Sequence, residues 1–523
     1  MRYQRTIREL LDYRVKHTPD FIFARHQDGK ISFRALGACV NRLANGLTAT
    51  GIVPGKSVAV MLANHPDHIF TFFAIASLGA VWVPINTNLR GQSLEYIFEQ
   101  NRPDAIIVDT EFWDRVEPVV TDKEKAIIIV RNASMLATSK NVLDFATVAN
   151  ADPKPPSTKP ILDSLRCVAF TSGTTGPPKG VLMTERMLRA CATGAAIVSE
   201  VRPQDIYLFW EPIYHNSGAQ MCILALMESI TLVVVPRFSA SRFWDIIKKN
   251  KVTKIHYLGG IIDILLKQPP RADDKNHGVL IAFGGGCRKE SWREFEQRFG
   301  VTIRECYGLT EASGFTTVNT SGKVGSIGKP YPYFDVQIVD DDGLPLKAGL
   351  SGEILVREKE PGLITQGYLK NPEATAAALQ GGWLHTGDLG RYDTEGDFYY
   401  LGRKKDSIRR RGENISAWEV ESVLNSHPDI TESAVIGVDA EIGEQELKAF
   451  IVCAAATPVH PLAIIKWCEP RMPYFQIPRY VTFVDGFQKT PTERIRKETL
   501  SHDTKDCWDL EKSGYRIRKD LKP

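Results

Sequence analysis

A short loop with the composition of a phosphate-binding site lies between residues 170 and 180, where the sequence reads FTSGTTGPPKG. It has no apolar period, and its glycines and prolines mark it as a loop. Glycines let backbone N–H groups approach a ligand closely, while the hydroxyls and one lysine add further donors. The pattern therefore predicts a phosphate cradle. Its groups are Thr171, Ser172, Gly173, Thr174, Thr175, Gly176 and Lys179.

Two other phosphate-binding loops do not fit this stretch. The pattern G-x-x-x-x-G-K-[ST] fails because Gly176 is followed by Pro177, Pro178 and Lys179, and no G-x-G-x-x-G opens a helix. A solvated linker with a surface lysine is the plain alternative, which the density of glycine and hydroxyl residues disfavours.

Such a loop needs buried elements to hold it. Cys167–Phe170 is apolar enough for a buried strand, and Thr184 is a suitable N-cap for a helix that begins at Glu185. Elsewhere, apolar strand-like runs alternate with helical patterns, which indicates α/β layers with mostly parallel sheets. The apolar run from residue 69 to 86 is long enough to cross a membrane, but Pro84 and its aromatic, β-branched tail favour a buried helix followed by a strand.

The composition bounds the class of protein. With 523 residues, the chain is too long for one ordinary core, so two or more domains are expected. The net charge of +3 gives no electrostatic case for binding nucleic acid. The nine cysteines form no C-x-x-C pair, and the N-terminus is too charged for a signal peptide. We therefore expect a cytoplasmic protein with reduced thiols and without a zinc site.

A polar, basic segment marks a change of composition near residue 400. Residues 402–412 read GRKKDSIRRRG, after which Ser416 can cap a helix and Glu419 can close a capping box. The run of basic residues could suggest nucleic acid or nuclear import, which the modest total charge argues against. We expect a large domain over residues 1–404 and a small α+β domain over residues 405–523.

Further motifs follow in a fixed order along the chain. They are PIYH (212–215), YGLTE (307–311), WLHTGD (383–388) and GRKKD (402–406). With the glycine-rich loop, this ordered set resembles the adenylate-forming superfamily of acyl-CoA synthetases, adenylation domains and luciferases over nearly the whole chain. The stretches FSASRFW from Phe238 and KQPPRADDKNH from Lys267 are similar to bacterial crotonobetaine/carnitine-CoA ligases.

The resemblance implies a fold and a reaction. The fold would be α/β, with mostly parallel sheets layered with helices and a β-barrel-like part in the large domain, and a small C-terminal domain on a hinge. A carboxylate would attack the α-phosphorus of MgATP to give acyl-AMP and pyrophosphate, and coenzyme A would then displace AMP. ATP, Mg²⁺, coenzyme A and a small carboxylic acid are thus the expected ligands. The resemblance does not identify the acid. It also leaves open whether the acyl group goes to a separate carrier protein instead of coenzyme A, and whether the protein is a homodimer.

The resemblance also assigns roles at the nucleotide. The loop from Thr171 to Lys179 would hold the β- and γ-phosphates, and Tyr307 would stack on adenine, followed by Gly308. Thr310 would contact the α-phosphate, and Glu311 would bind Mg²⁺ through oxygen, as that hard ion prefers. The wall beside adenine would be formed by Gly284, Gly285 and Gly286.

Other roles fall near the motifs of the second half of the chain. Asp388 would take the ribose hydroxyls with support from Arg403, although a turn residue is the plain reading of Asp388. Lys405 would be the hinge about which the small domain rotates between the half-reactions. Gly412 and Glu413 would then approach the active site for the thioester step.

The resemblance also predicts residues of the acyl site. The resemblance makes His215 an aromatic gate, and places Gly308, Trp210 and Tyr214 beside the acyl group. A trimethylammonium acid would need aromatic faces or a carboxylate. Trp210, Glu211, Tyr214 and Tyr257 could supply them, or could equally pack the core.

One motif departs from the family pattern. The segment from Thr490 to Lys497 reads TPTERIRK, and the position of the family's catalytic lysine holds Arg494, with Glu493 where glycine is usual. Arginine keeps the charge but sets a different geometry. We expect Arg494 to serve as the adenylation cation. The alternatives are that Lys497 or Lys489 substitutes, or that the first half-reaction is impaired in a nucleotide-binding homologue.

Overall fold

The computed structural model describes residues 4–27, 29–120, 126–133, 142–171, 178–410, 413–440, 445–454, 459–490 and 494–517. The chain forms two compact units. The first unit comprises Met1–Cys287, Ser291–Val336 and Val356–Leu384, and the second comprises Arg288–Glu290, Gln337–Leu355 and His385–Pro523. The boundary expected after residue 404 stays a prediction.

The helices are short to medium in length. In chain order they are α1 (Ile7–His17), α2 (Phe33–Ala49), α3 (Pro66–Leu78), α4 (Gly91–Asn101), α5 (Trp113–Val116), α6 (Phe145–Val148), α7 (Glu185–Val198), α8 (Asn216–Met227), α9 (Phe243–Asn250), α10 (Ile261–Leu266), α11 (Lys289–Phe299), α12 (Pro372–Ala378), α13 (Ala417–Asn425) and α14 (Pro461–Cys468).

Strands fill most of the intervals between helices. Those of the first part of the chain are β1 (Ile22–His26), β2 (Gly29–Ser32), β3 (Ser57–Met61), β4 (Val81–Pro84), β5 (Ala105–Asp109), β6 (Ile127–Arg131), β7 (Val142–Asp144), β8 (Leu165–Thr171), β9 (Lys179–Thr184), β10 (Ile206–Phe209), β11 (Thr231–Val234), β12 (Lys254–Leu258), β13 (Ile281–Gly285), β14 (Thr302–Tyr307), β15 (Thr317–Asn319) and β16 (Lys329–Pro330). They continue with β17 (Phe334–Val339), β18 (Gly352–Glu358), β19 (Leu379–Gln380), β20 (Trp383–Tyr392), β21 (Phe398–Arg403), β22 (Ser407–Arg410), β23 (Glu413–Ser416), β24 (Ile430–Asp439), β25 (Gln445–Cys453), β26 (Tyr480–Phe483) and β27 (Trp508–Asp509).

Two mostly parallel sheets form the first unit. A nine-stranded sheet has the order β16-β15-β14-β13-β12-β10-β11-β1-β2, and a seven-stranded sheet has the order β7-β6-β5-β3-β4-β8-β9. The strands from β14 to β1 in the first order, and from β7 to β8 in the second, pair in parallel. One apolar cluster joins strands of both sheets through α2, α3, α7 and α8, so the helices lie in a layer between the sheets.

The local predictions around the glycine-rich loop are confirmed. The loop joins β8 to β9, and Thr171 and Lys179 are paired residues at the base of that antiparallel hairpin. Thr184 caps α7, since its side chain accepts a hydrogen bond from Met187 N at 3.2 Å. The tip of the loop, residues 172–177, lies outside the described residues.

The apolar run from residue 69 to 86 is a buried helix followed by a strand, as predicted. Helix α3 ends at Gly79, whose positive φ of 70° lets the chain turn directly into β4. None of the described helices is both long and apolar enough to cross a membrane.

Smaller sheets make up the rest. A five-stranded, half-barrel-like sheet has the order β17-β18-β20-β19 with β21 on β20, and the unit boundaries fall within β17, β18 and β20. The second unit also contains the sheet β24-β25-β26-β27 and the hairpin β22-β23. Ser416 caps α13 as predicted, but the Glu419 carboxylate accepts a hydrogen bond from Gln476 Nε2 at 3.1 Å. The capping box is therefore replaced by a tertiary contact.

Candidate active site

Three of the predicted segments of the first unit lie at one edge of the nine-stranded sheet. Because β10, β12, β13 and β14 are parallel neighbours, their carboxyl ends lie at the same edge. The segments that begin there are 210–215 after β10, 284–286 at the end of β13, and 307–311 at the end of β14. Open α/β sheets bind ligands at this edge.

Close backbone approach explains the glycines at this edge. A Cβ on Gly284 would lie 1.9 Å from Tyr257 O of β12, and Gly286 has a φ of +99°, where side chains are strained. A Cβ on Gly308 would lie 2.2 Å from Gly314 O. These glycines therefore keep the strand ends thin where a planar base could approach.

The segment 307–311 is held in place through its backbone. Tyr307 O accepts hydrogen bonds from Thr316 N at 2.8 Å and from Thr316 Oγ1 at 3.1 Å. Thr310 and Glu311 follow in a single 3₁₀ turn and are both half-buried. Glu311 O accepts from Thr365 N at 2.8 Å.

Tyr368 links the phosphate loop to Glu311. Its hydroxyl donates to Glu311 Oε1 at 2.9 Å, and Lys179 Nζ lies 5.0 Å from the centroid of its ring. A hydrogen bond from Leu369 N to Gly180 O at 2.7 Å holds the Tyr368 segment against β9. One phenol therefore contacts a cation over its ring and a carboxylate at its hydroxyl.

The structure divides the candidate acyl residues into two kinds. Trp210 is 4% exposed and donates from Nε1 to His256 O at 2.9 Å, and Glu211 is 0% exposed with Oε1 2.7 Å from His256 Nδ1. Tyr257 is also fully buried. This burial favours the core-packing alternative for the three residues.

Tyr214 and His215 are the half-buried members of the group. Burial raises the pKa of the Tyr214 phenol, more than a hydrogen bond with Thr87 lowers it. His215 caps α8, since its Nδ1 accepts from Ser217 N at 3.2 Å, which fixes the ring at the start of that helix. The part played by each residue toward an acyl group stays a prediction.

In the second unit, Asp388 and Arg403 form the predicted pair. They are opposite residues of β20 and β21, with Arg403 Nε 2.9 Å from Asp388 Oδ1. Asp388 N donates a hydrogen bond to Thr386 Oγ1 at 3.0 Å. Tyr400 lies beside them on β21: burial and Asp388 raise the pKa of its phenol, whereas Arg403 and Arg494 lower it. Arg494 is therefore close enough to affect the Tyr400 phenol electrostatically.

The cation candidates near the C-terminus differ in their partners. Lys489 Nζ lies 2.6 Å from Glu432 Oε1, and Lys497 Nζ lies 2.6 Å from Glu421 Oε1. Arg494 N donates to Thr490 Oγ1 at 3.1 Å, and the Arg494 side chain is exposed and makes no ion pair with any described residue.

Several predicted residues fall outside what the structure describes. These are Ser172, Gly173, Thr174, Thr175, Gly176, Gly412 and Glu493, together with the side chain of Glu413. Lys405 lies in a single 3₁₀ turn after β21 and is exposed. The role of Lys405 as a hinge stays a prediction.

Comparison with known proteins decides the family. The profile described as AMP-binding enzyme matches residues 11–369, and that of the AMP-binding enzyme C-terminal domain matches residues 419–494. The chain belongs to the AMP-binding enzyme family.

Relatives of this AMP-binding enzyme are acid–CoA ligases. The crotonobetaine/carnitine–CoA ligases of Escherichia coli O157:H7 (strain EC4115 / EHEC) and Shigella flexneri are each 31% identical over 480 residues, 90% of this chain and 93% of theirs. The o-succinylbenzoate CoA synthetase of Bacillus subtilis, solved with the acyl-adenylate OSB-AMP, superposes with a TM-score of 0.82 at 26% identity, over 96% of this chain and 98% of that one. The predicted fold and the predicted class, an AMP-forming acyl-CoA synthetase, are confirmed.

Sequence reasoning missed Tyr368 of this AMP-binding enzyme. Its GYLKNPE context has no chemical signature, and its link to Glu311 joins residues 57 apart in the chain. The available signal was the Gly367–Tyr368 pair, which points to a turn as readily as to a site.

Lys179→Ala is expected to raise the KM for MgATP about tenfold or more, because a charged hydrogen bond to phosphate is lost. Steady-state kinetics of acid-dependent pyrophosphate exchange would measure it. Lys370→Ala is the matched control. Lys370 is two residues after Tyr368, but its Nζ donates to Gln100 O and has no predicted role at the phosphates. An unchanged KM in the Lys179 variant would contradict a role at the phosphates.

Proposed function

We propose that this protein activates a small carboxylic acid as its acyl-adenylate and transfers the acyl group to coenzyme A. The observation that carries the proposal is that Tyr368 contacts both Lys179 and Glu311 in a member of the AMP-binding enzyme family. ATP, Mg²⁺ and coenzyme A are the cosubstrates and metal of this chemistry.

Adenylation brings two anions together, so the protein must mainly position them and neutralise charge. Lys179 stands at the base of the phosphate loop, where its charge would meet the leaving pyrophosphate. Thr310 would contact the α-phosphate, and Tyr307 and the glycine segment 284–286 would flank adenine. Lys179 and Tyr307 are terminal residues of strands, and Thr310 begins the 3₁₀ turn that follows β14.

Glu311 fits an oxygen ligand for Mg²⁺. Its carboxylate is half-buried and keeps one oxygen beside the Tyr368 hydroxyl. In the described ranges no group of three His, Cys, Asp or Glu side chains could hold a metal by itself. Mg²⁺ is commonly bound by one or two carboxylates together with substrate phosphates, whose charge it neutralises.

The other proposed roles belong to residues of the second unit. Asp388, held by Arg403, would accept the ribose hydroxyls, and Arg494 would neutralise the substrate carboxylate and the α-phosphate. Lys405 would be the hinge of the small domain, and Gly412 and Glu413 would act in the thioester step. A cytoplasmic location and a homodimer remain part of the same proposal.

We propose a small polar or betaine-like acid as the substrate. The support is the 31% identity to crotonobetaine/carnitine–CoA ligases over 90% of the chain. Because Glu211 is already paired with His256, a trimethylammonium group would have to be met by aromatic faces, and Tyr214 is the half-buried aromatic of this segment.

The acid preference can be tested with carnitine, γ-butyrobetaine, crotonobetaine, benzoate and octanoate. We expect the betaines to have the highest kcat/KM for acid-dependent pyrophosphate exchange. Tyr214→Leu should lower kcat/KM for the betaines about tenfold more than for octanoate, with Tyr214→Phe as the matched control that keeps the ring. Octanoate or benzoate exceeding the betaines by about tenfold, or ~1.4 kcal/mol, would refute the betaine assignment.

A further inference from the structure

Two histidine rings meet where the carboxyl end of β1 lies beside the start of α3. His26 is the last residue of β1, and His65 is the N-cap of α3. The rings lie edge to face, with their centroids 4.9 Å apart. The His65 side chain is 33% exposed, so solvent reaches it. Because histidine ordinarily changes its charge near neutral pH, this pair is a place where the charge of the protein can change.

His65 has two possible partners for one ring nitrogen. Its Nδ1 accepts a hydrogen bond from Asp67 N at 3.2 Å and also lies 3.1 Å from Asp67 Oδ2. A neutral Nδ1 with a lone pair serves the amide, whereas a protonated Nδ1 can only donate, and then the carboxylate is its acceptor. The two hydrogen bonds exclude each other. The charge of His65 therefore decides whether the first turn of α3 is capped.

The charges around Asp67 keep its carboxylate available as that acceptor. Asp67 Oδ2 lies 2.7 Å from Arg131 Nε, and Arg131 Nη1 lies 2.7 Å from Asp109 Oδ1. Burial raises the pKa of Asp67, but hydrogen bonds from His65 and Arg131 outweigh burial, so the net shift of this pKa is downward. Asp67 is therefore an anion throughout the pH range in which histidine titrates.

The remaining titratable groups of the cluster stay neutral. Burial, followed by the charge of His65, lowers the pKa of His26, so a proton on His65 opposes a second proton on His26. His68 of α3 is fully buried, and burial lowers its pKa to about 3. On α2, burial raises the pKa of the Cys39 thiol. His65 is thus the member of the cluster that changes charge first.

The residue before His65 connects this cap to a distant part of the first unit. Asn64 makes three hydrogen bonds with the backbone of segment 210–213: its Nδ2 donates to the carbonyl oxygens of residues 210 and 211 at 3.2 Å and 2.7 Å, and its Oδ1 accepts from the amide of residue 213 at 3.0 Å. Asn64 is 9% exposed, so water replaces these bonds poorly. Segment 210–213 is therefore held from the start of α3.

We propose that His65 is a pH-sensitive cap of α3: protonation moves its hydrogen bond from the Asp67 amide to the Asp67 carboxylate and loosens the Asn64 contacts with segment 210–213. The uncapped amide makes the first turn of α3 less stable, and Asn64 directly precedes that turn. The loop therefore loses order as the pH falls through the ordinary range of histidine. An effect on binding of the carboxylic acid rests, in addition, on the proposed function.

Hydrogen exchange tests the cap without any substrate. Peptides covering residues 60–70 are measured by mass spectrometry at about pH 8 and about pH 5.5, with correction for the intrinsic exchange rates. In wild type we expect protection to fall about fivefold or more at the lower pH. His65→Asn keeps an acceptor that cannot be charged, so it should keep its protection at both pH values. His65→Ala has no acceptor and should resemble acidic wild type already at the higher pH.

His427→Asn is the matched control, because His427 Nδ1 accepts from Asp429 N at 3.1 Å in a second His-Pro-Asp sequence. Residues 60–70 should keep the wild-type pH response in this variant. Equal protection of wild-type residues 60–70 at both pH values, or the same loss in His65→Asn, would overturn the proposal. If His65→Ala does not fold, the comparison of wild type with His65→Asn decides the outcome.

The KM for the carboxylic acid in pyrophosphate exchange reports on segment 210–213. Between the two pH values, its rise in wild type should exceed its rise in His65→Asn by about threefold or more, while the KM for ATP changes equally in both. Titration of ATP, of the substrate and of His215 is common to the two proteins and cancels in the comparison. An equal rise would refute the connection to segment 210–213. If wild type shows no exchange with any acid, the proposed function fails, whereas hydrogen exchange still decides the role of His65.

Discussion

Arg494→Ala is expected to lower acid-dependent pyrophosphate exchange by about 10²–10³-fold, because in the proposed role its positive charge neutralises the reacting oxyanions. The second half-reaction should change little. Coenzyme A transfer from chemically made acyl-AMP, measured in the same preparation, is therefore the internal reference that separates adenylation from a general loss of folded protein.

The arrangement of cations favours Arg494 over the two nearby lysines. Lys489 and Lys497 are each 2.6 Å from a carboxylate, and burial raises the pKa of Glu421, the partner of Lys497, although Lys497 lowers it. Arg494 is exposed and influences Tyr400, beside the predicted ribose site. A lysine already neutralised by a carboxylate would have to break that pair before meeting a second anion.

Lys489→Ala and Lys497→Ala are the matched controls, and each should retain exchange within about tenfold of wild type, since each loses a partly exposed ion pair. Arg494→Lys tests geometry, because it keeps the charge but not the planar fork. Exchange that survives in Arg494→Ala and disappears in either lysine variant would move the assignment to that lysine. Absence of exchange in wild type with every acid would favour a homologue that has lost adenylation.

Local sequence patterns predicted the secondary structure more completely than they predicted the site. The hairpin around the glycine-rich loop, the Thr184 cap and the turn at Gly79 are each decided by residues close in sequence, through propensity, capping and positive φ. The mostly parallel sheets were also predicted correctly, because strand-like runs that alternate with helical patterns indicate them.

Long-range pairing was the part that the sequence did not reveal. Glu211 was read as a carboxylate that could face a cation, yet it is fully buried against His256, 45 residues further along the chain. Glu305 stood inside the recognised strand without any assigned role, because its partners Tyr257 and Gly286 come from other strands. Burial and partner choice depend on strand order, which periodicity within one segment does not encode.

Glu311→Gln is expected to lower the rate of pyrophosphate exchange by about 10²–10³-fold and to raise the Mg²⁺ concentration needed for half-maximal rate. The amide is nearly isosteric but removes the negative charge that a hard cation prefers. The backbone anchor from Thr365 N to Glu311 O and the hydrogen bond from Tyr368 can both persist, so the fold should survive. The loss would then report on charge at this position.

Tyr368→Phe is the control that isolates orientation from charge. It keeps the ring beside Lys179 Nζ and removes only the hydroxyl that donates to Glu311 Oε1. Losing one hydrogen bond to a carboxylate that retains its charge should cost about tenfold in rate, with a smaller shift in Mg²⁺ dependence than in Glu311→Gln. A Mg²⁺ titration of exchange at saturating ATP compares the two variants directly. If Glu311→Gln follows the wild-type Mg²⁺ curve with only a lower plateau, the carboxylate acts on the α-phosphate region through Thr310 and the turn, and the assignment of Glu311 as a metal ligand is wrong.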